Sequence, residues 1–518
     1  MRQNYTPVAD TVRGVLDFYA VSQPNVQFAY FPETQQGLSY AEIRQEIHNQ
    51  IAVFQGHGLA AGDTVSFMMC NGRTTLVLFL AAIYGGYIIS PLNPAAGEEQ
   101  LTYVVEHSDT KAVFVSEEFA EQVNTIVNNL SSNPGTGIQI HLVEVDTGCP
   151  ESTGATPVLP PVSAEQDGML MYTSGTTGRP KGVVLTHKNL LAGGMNTAVS
   201  HELSNLDRGM CVLPLCHINA QCVTVMAPLV SGSGVVMPNS FRTSQFWPQV
   251  IASECTWFSV VPTIISYLMH QSEKLDLVAL KAQLKTVKFG RSASAALPPA
   301  LHAGFEQRFG VPIIETMGMT ETSAQMLSNP MPPKANKYGS PGVAFGTQVK
   351  VVNDQVQELP RGEEGELMVK GDSVMRCYYK NPQATAKELT IDGWLHTGDL
   401  ARMDEDGFIF ITGRIKELII KGGENIAPRE IDDVLYTHPS VKEAAAVGVP
   451  HDDYGQDVVA CVVLGGGEPL DEDKLKDFCL PKLGKIKMPS RIYFMDDLPK
   501  GPSGKVQRLK LVDMLQNA

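Results

Sequence analysis

No C-x-x-C pair occurs in this sequence, and its nine cysteines are odd in number, which argues against a disulfide framework and for a reducing compartment. Base is scarcer than acid: 40 Lys and Arg against 55 Asp and Glu leave a formal charge of −15, which excludes a nucleic-acid platform built on a broad basic face. The one basic segment, Pro481 to Lys510, reads as a solvated face apart from Lys505. No apolar run is long enough to cross a bilayer. The longest, Leu76 to Ile89, is interrupted by Gly85-Gly86 and reads as a buried helix. The opening MRQNYTPVADTVRG lacks the charged-then-apolar order of an export leader, so a cytoplasmic protein is expected. Cys211, Cys216, His217 and Cys222 lie close together, but zinc ligands usually pair at C-x(2 to 4)-C spacing and the adjacent Cys216 and His217 would strain to share one metal, so buried thiols are expected. There is no internal repeat.

What is there fills at least two domains, because 518 residues exceed the roughly 250 to 300 at which single cores stop growing. From about residue 40 to 330, helix-like patterns alternate with short apolar runs at 63–67, 111–115, 234–237 and 311–314. This is a doubly wound α/β pattern. Residues 338–413 instead carry closely spaced β-like runs (348–352, 365–369, 407–411) and predict a small antiparallel unit. Beyond Arg414 a second α/β pattern follows, with a helix over 428–436, strands over 444–449 and 457–464 and a helix over 471–478. Residues 134–163, rich in Pro, Gly, Ser and Thr, read as surface linker.

The densest chemistry is YTSGTTGRPKG, Tyr172 to Gly182, set between two strand-like runs. Its glycines let backbone N–H groups approach a ligand, its hydroxyls add short donors and its Lys adds a point charge. The combination describes a phosphate cradle. It is not the P-loop, because counting from Gly175 places Pro180 where that motif needs glycine.

Four further stretches complete a set: Met317-Gly-Met-Thr-Glu321, Trp394-Leu-His-Thr-Gly-Asp399, Gly413-Arg-Ile-Lys-Glu-Leu-Ile-Ile-Lys-Gly-Gly423 and Leu498-Pro-Lys-Gly-Pro-Ser-Gly-Lys505. With these five motifs in order, the chain resembles the adenylate-forming superfamily of acyl-CoA synthetases, peptide-synthetase adenylation domains and luciferases. The resemblance implies a large N-terminal domain of doubly wound sheets with a small β-barrel-like unit (1–413, the unit about 338–413). A small mobile α+β C-terminal domain (414–518) would turn about a hinge near Lys416. It implies ATP and Mg²⁺ as cofactors and coenzyme A as acceptor: a carboxylate attacks the α-phosphorus of ATP, and a thiol then attacks the acyl adenylate. Catalysis of this kind rests on cations and donors aimed at developing charge.

By the same resemblance, Thr173, Ser174, Gly175, Thr176, Thr177, Gly178 and Lys181 hold the β- and γ-phosphates. Thr320 donates to the α-phosphate and Glu321 holds Mg²⁺, which prefers carboxylate and phosphate oxygens. Asp399 accepts from the ribose hydroxyls, assisted by Arg414. Ser294, Ala295, Thr316, Met317 and Gly318 also belong to cofactor binding, with a Met where most relatives have Tyr. Lys505 serves adenylation and is exchanged, by rotation of the small domain, for Lys421, Gly422 and Gly423 beside the pantetheine thiol.

His217 matches the position that gates the acyl pocket, and its surroundings resemble the carnitine or crotonobetaine type of CoA ligase. Arg291-Ser-Ala-Ser-Ala-Ala-Leu297 and Ser328-Asn-Pro330 resemble the oxalate type. Both types imply a short polar carboxylic acid, with Asn219, Gln221, Ser292 and Gln325 as candidates to hydrogen-bond its tail. No cation occurs in Thr322-Ser-Ala-Gln325, which predicts that a dianion lacks a partner and that oxalate is a poor substrate. A stand-alone adenylation enzyme that loads a carrier-protein thiol is the competing reading. A non-catalytic nucleotide sensor is disfavoured by the presence of Glu321 and Lys505. Monomer and homodimer both remain open.

Overall fold

The computed structural model describes residues 6–130, 137–148, 156–173, 179–465, 470–500 and 506–516. Two large sheets build the N-terminal domain. One has nine strands, in the order Val343–Ala344, Ala324–Ser328, Ile313–Met319, Phe289–Ser292, Trp257–Val260, Arg208–Cys211, Gly234–Val236, Gln27–Phe31, Gln36–Ser39. Its pairs are parallel from Ile313–Met319 to Gln27–Phe31 and antiparallel at both edges. The other runs Cys377–Tyr378, Lys181–Thr186, Asp167–Thr173, Ile88–Pro91, Thr64–Met68, Thr110–Val115, Gln139–Leu142. Its parallel part begins at Asp167–Thr173.

Burial explains the sequence pattern. Parallel strands covered on both faces read as continuous apolar runs, and Thr64–Met68 is buried at every position. The helix Arg73–Gly85, buried from Thr74 onward, packs in a core with Phe67 and Met169 of one sheet and Phe28, Val235 and Phe258 of the other. Gly86 takes a left-handed conformation as its C-cap (φ 82°), which divides the apolar run 76–89 into this helix and strand Ile88–Pro91. The stretch read as linker holds an edge strand, Gln139–Leu142, in its described part.

A four-stranded antiparallel sheet follows: Gln348–Val352, Glu364–Lys370, Leu395–Met403 and Ile409–Arg414. The region around it is not purely β. Between its second and third strands the chain returns to the seven-stranded sheet, where Cys377–Tyr378 pairs with Val183 and Val184, and then forms helix Pro382–Glu388.

The C-terminal domain has a sheet of Glu424–Ile426, Ile419–Lys421, Gly455–Leu464 and Val441–His451, with Arg491–Phe494 parallel to Gly455–Leu464. Helices Pro428–Leu435 and Glu472–Lys487 contribute Ile431, Leu435, Leu475 and Cys479 to its core, which also contains Ile419, Val458 and Ile492. This core is separate from that of the large domain. Strands and helices thus alternate as the sequence predicts after Arg414, with the second helix longer than 471–478.

Candidate active site

A cavity of about 1160 Å³ lies where the two large sheets, the antiparallel sheet and the small domain meet. At one end stand Thr173 and Lys181, facing each other across the hairpin of strands Asp167–Thr173 and Lys181–Thr186. Ser174, Gly175, Thr176, Thr177 and Gly178, between them, lie outside the described residues. Lys181 Nζ is 2.8 Å from Glu388 Oε1 and 4.0 Å from the centre of the Tyr378 ring, so the cation meets both a carboxylate and an aromatic face.

Tyr378 connects this pair to the M-G-M-T-E segment. Its hydroxyl reaches Glu388 Oε2 at 2.6 Å and Glu321 Oε1 at 3.0 Å. Glu321 sits in a 3₁₀ turn, Thr320–Thr322, and its carbonyl accepts from Met375 N at 2.8 Å. Gly318 is required by the close pairing of strands Ile313–Met319 and Ala324–Ser328: a Cβ there would stand 1.5 Å from the Ala324 carbonyl oxygen. Burial raises the Glu321 carboxyl above its ordinary range against the opposing Tyr378 hydrogen bond and Lys181 charge. Burial also acts to raise Glu388, but Lys181 and Tyr378 outweigh it and hold that carboxyl low.

Thr320, Glu321 and Gly318 line the cavity, as do Ser294 and Arg414. Arg414 Nε pairs with Asp399 Oδ1 at 2.8 Å, the two residues being register partners on adjacent antiparallel strands. Asp399 itself is buried just behind the lining residues Thr397 and Gly398. Glu366 orients this strand, accepting from Gly398 N at 3.1 Å and lying 2.8 Å from His396 Nδ1. Thr316 is buried, Met317 packs partly against the main core and Ala295 is exposed, none of them on the cavity wall.

At the other end, which the sequence reading expects to take the acyl group, His217 and Asn219 line the cavity with Leu213, Pro214, Val261 and Ile264. Asn219 opens a π-helical segment, Asn219–Met226, a widened turn often found at functional sites. Gln221, Ser292 and Gln325 are fully buried behind this wall. Gln221 Nε2 is held by the Leu215 carbonyl at 2.7 Å, and Gln325 Nε2 by Ser200 Oγ at 2.6 Å. The stretch after Glu321 carries no cation of its own, yet the fold supplies one: Arg291 Nε lies 3.3 Å from Gln325 Oε1. The neighbouring Cys211 and Cys216 are buried, which pushes both thiols up to about 12.

The small domain closes the cavity with Lys416, Glu417, Gln507 and Lys510. Arg508 anchors that end on Glu417, Asp432 and the Ala446 carbonyl. Lys505 lies outside the described residues. Lys421 stands apart, paired with Asp457 at 2.7 Å, before a turn whose Gly422 and Gly423 have φ of +59° and +89°. Sequence reasoning missed Tyr378, Glu388 and Arg291 as site residues. Arg291 opens the stretch that resembles the oxalate type, where it is given no role of its own; Tyr378 and Glu388 carry no local motif, and only a Tyr or Glu in a β unit that folds back on another sheet would have signalled them.

Comparison with known proteins agrees with this geometry. The AMP-binding enzyme family matches residues 17–379, and the C-terminal domain of AMP-binding enzymes matches 430–505. A sulfoacetate–CoA ligase from Cupriavidus necator is 42% identical, the match covering 98% of each chain. An oxalate–CoA ligase from Saccharomyces cerevisiae is 33% identical, with 97% of each covered. ATP-bound MatB from Rhodopseudomonas palustris superposes with a TM-score of 0.88 at 29% identity, over 98% of this chain and 99% of that one. The shared domains and the five motifs have one explanation: the chain belongs to the AMP-binding enzyme family, the adenylate-forming acyl-CoA ligases.

Proposed function

We propose that this protein joins a short acid carrying a second anionic group, of the sulfoacetate kind, to coenzyme A at the expense of ATP. One cavity carries the reading: Lys181 and Glu321, suited to phosphate and its metal, line one end, and His217 and Asn219, suited to the acyl group, line the other. The 42% identity with the sulfoacetate–CoA ligase supports the sulfonated acid in particular.

Glu321 would hold Mg²⁺. One carboxylate beside nucleotide phosphates is the usual donor set for this ion, and a buried carboxyl raised by desolvation gains a counter-charge there. When bound, the ion supplies charge neutralisation on the phosphates. Thr320 donates toward the α-phosphate, while Lys181 leaves Glu388 for the β- and γ-phosphates. Asp399, held by Arg414 just behind the lining residues Thr397 and Gly398, would accept from the ribose hydroxyls. His217 closes the acyl end.

The small domain turns between the two half-reactions about Ile415–Glu417. Its separate core and the short 3₁₀ turn at this junction support such a motion. In one orientation Lys505 serves adenylation, and in the other the Gly422-Gly423 turn admits the thiol. The described cysteines are free thiols, in keeping with the cytoplasm.

The test is pyrophosphate release with Mg-ATP over sulfoacetate, oxalate, malonate, crotonobetaine and acetate, each with and without CoA. CoA-stimulated turnover greatest for sulfoacetate is expected. A neutral or cationic acid that outruns every dianion refutes the substrate class, and release indifferent to CoA for every acid refutes CoA as acceptor.

A further inference from the structure

Among the described residues Arg291 is the largest fully buried charged side chain, 1% exposed in strand Phe289–Ser292. Its described hydrogen-bond partners are neutral: Asn219 Oδ1 at 3.2 Å, Ser259 Oγ at 3.3 Å and Gln325 Oε1 at 3.3 Å. Among the described residues no carboxylate lies within ion-pair distance of it. Buried charges are ordinarily paired, because stripping water from an isolated ion is costly. Burial pushes the guanidinium down only to about 9, so it stays charged at neutral pH, and the nearby His201, pushed down to about 3, adds no second charge.

The geometry fixes a second property. A guanidinium only donates, so the Asn219 atom that faces Arg291 must be its carbonyl oxygen, which also accepts from Ser259 Oγ at 3.0 Å. The Asn219 amide NH₂ is thereby turned away from Arg291, toward Ser294 Oγ at 3.4 Å, a residue of the cavity wall. Polarisation by a cation on the carbonyl side strengthens that amide as a donor.

We infer that Arg291, without touching the substrate, selects acids with an anionic tail: it locks the Asn219 amide toward Ser294 on the cavity wall and supplies the positive field that an unpaired buried cation casts at the end of the cavity lined by His217 and Asn219. The inference deepens the proposed function and rests on its doubly anionic substrate. The anionic tail would then be the counter-charge that the protein itself omits. Arg291 is a positioning and specificity residue, one layer behind the wall.

Matched acid pairs test it: sulfoacetate against methylsulfonylacetate, and malonate against its monomethyl ester, each pair alike in shape and different by one charge. The wild-type enzyme is expected to prefer the anion in both pairs. In Arg291→Met the kcat/KM ratio of anion to neutral partner should fall about tenfold or more, with the KM for Mg-ATP little changed. Asn219→Asp places a carboxylate beside Arg291, is compatible with a folded core, and should abolish or reverse the preference; it decides the matter if Arg291→Met does not fold. Equal losses for both members of each pair, with the ratio intact in either variant, would overturn the role of Arg291. A wild-type enzyme that prefers the neutral acids would overturn the proposed substrate class itself, and the two failures are thus distinct.

Discussion

The two ends of the cavity treat charge in opposite ways. At the end lined by Lys181 and Glu321, Lys181 pairs with Glu388, and the single Tyr378 hydroxyl lies within hydrogen-bond distance of both Glu388 and Glu321, so the cation has a carboxylate partner within the chain. At the acyl end Arg291 meets amides and hydroxyls only. The contrast follows from what must change. In the proposed reaction polyphosphate enters and pyrophosphate leaves in each cycle, and a Lys181 that returned to Glu388 would not be left bare between turnovers. On the same proposal, an acyl tail of fixed charge would ask only for a fixed field, which a buried, pre-oriented guanidinium would provide without rearrangement.

The sharpest way to break the phosphate end is Glu321→Gln. It should lower the adenylation rate on the order of a hundred- to a thousandfold, measured by acid-dependent pyrophosphate exchange. Retention of most of that rate would remove Glu321 from the metal site. Next in size is Lys505→Ala, expected to slow adenylation about a hundredfold or more while sparing thioester formation from supplied acyl adenylate. Equal loss in both half-reactions would contradict an exchange of the two faces of the small domain.

Glu388→Gln is milder and bears directly on the comparison. Loss of a partly exposed ion pair should lower stability by about 1 kcal/mol or less, read as a fall in Tm, and the KM for Mg-ATP should fall about two- to threefold because Lys181 no longer has a competing carboxylate. A raised KM would show instead that Glu388 holds Lys181 in place for the nucleotide.

The smallest effect is in pH dependence. Burial raises the Glu321 carboxyl, so between its ordinary value of 4.5 and its raised folded value the native state binds more protons than the unfolded one. Stability of the nucleotide-free enzyme therefore falls as pH rises through that window. Glu321→Gln lacks this slope, and its Tm should gain on the wild-type enzyme as pH rises from about 4. Parallel curves would mean that Glu321 is not desolvated.

Much of the molecule was legible before folding. The strands near 63–67, 111–115, 234–237 and 311–314 appear at Thr64–Met68, Thr110–Val115, Gly234–Val236 and Ile313–Met319, because buried parallel strands write themselves as apolar runs. The motifs at Thr320-Glu321 and at Asp399 and Arg414 frame the cavity because each depends on local turn or strand chemistry. Gln221, Ser292 and Gln325 illustrate the limit: they lie near the acyl end in sequence terms, but a side chain's choice between wall and core is made by packing. The region 338–413 also concealed an excursion, since a two-residue strand at Cys377–Tyr378 leaves almost no periodic signal.

The sequence by itself determined the chemistry, since glycines, hydroxyls, carboxylates and lysines at fixed short spacings identify a phosphate-handling ligase wherever they are carried. Tertiary structure alone decided which charges meet. Tyr378 and Glu388 reach Lys181 and Glu321 across 57 to 207 residues of chain, and Arg291 reaches Asn219 across 72. Electrostatic energy depends on distance and desolvation, and neither quantity exists until the chain has folded.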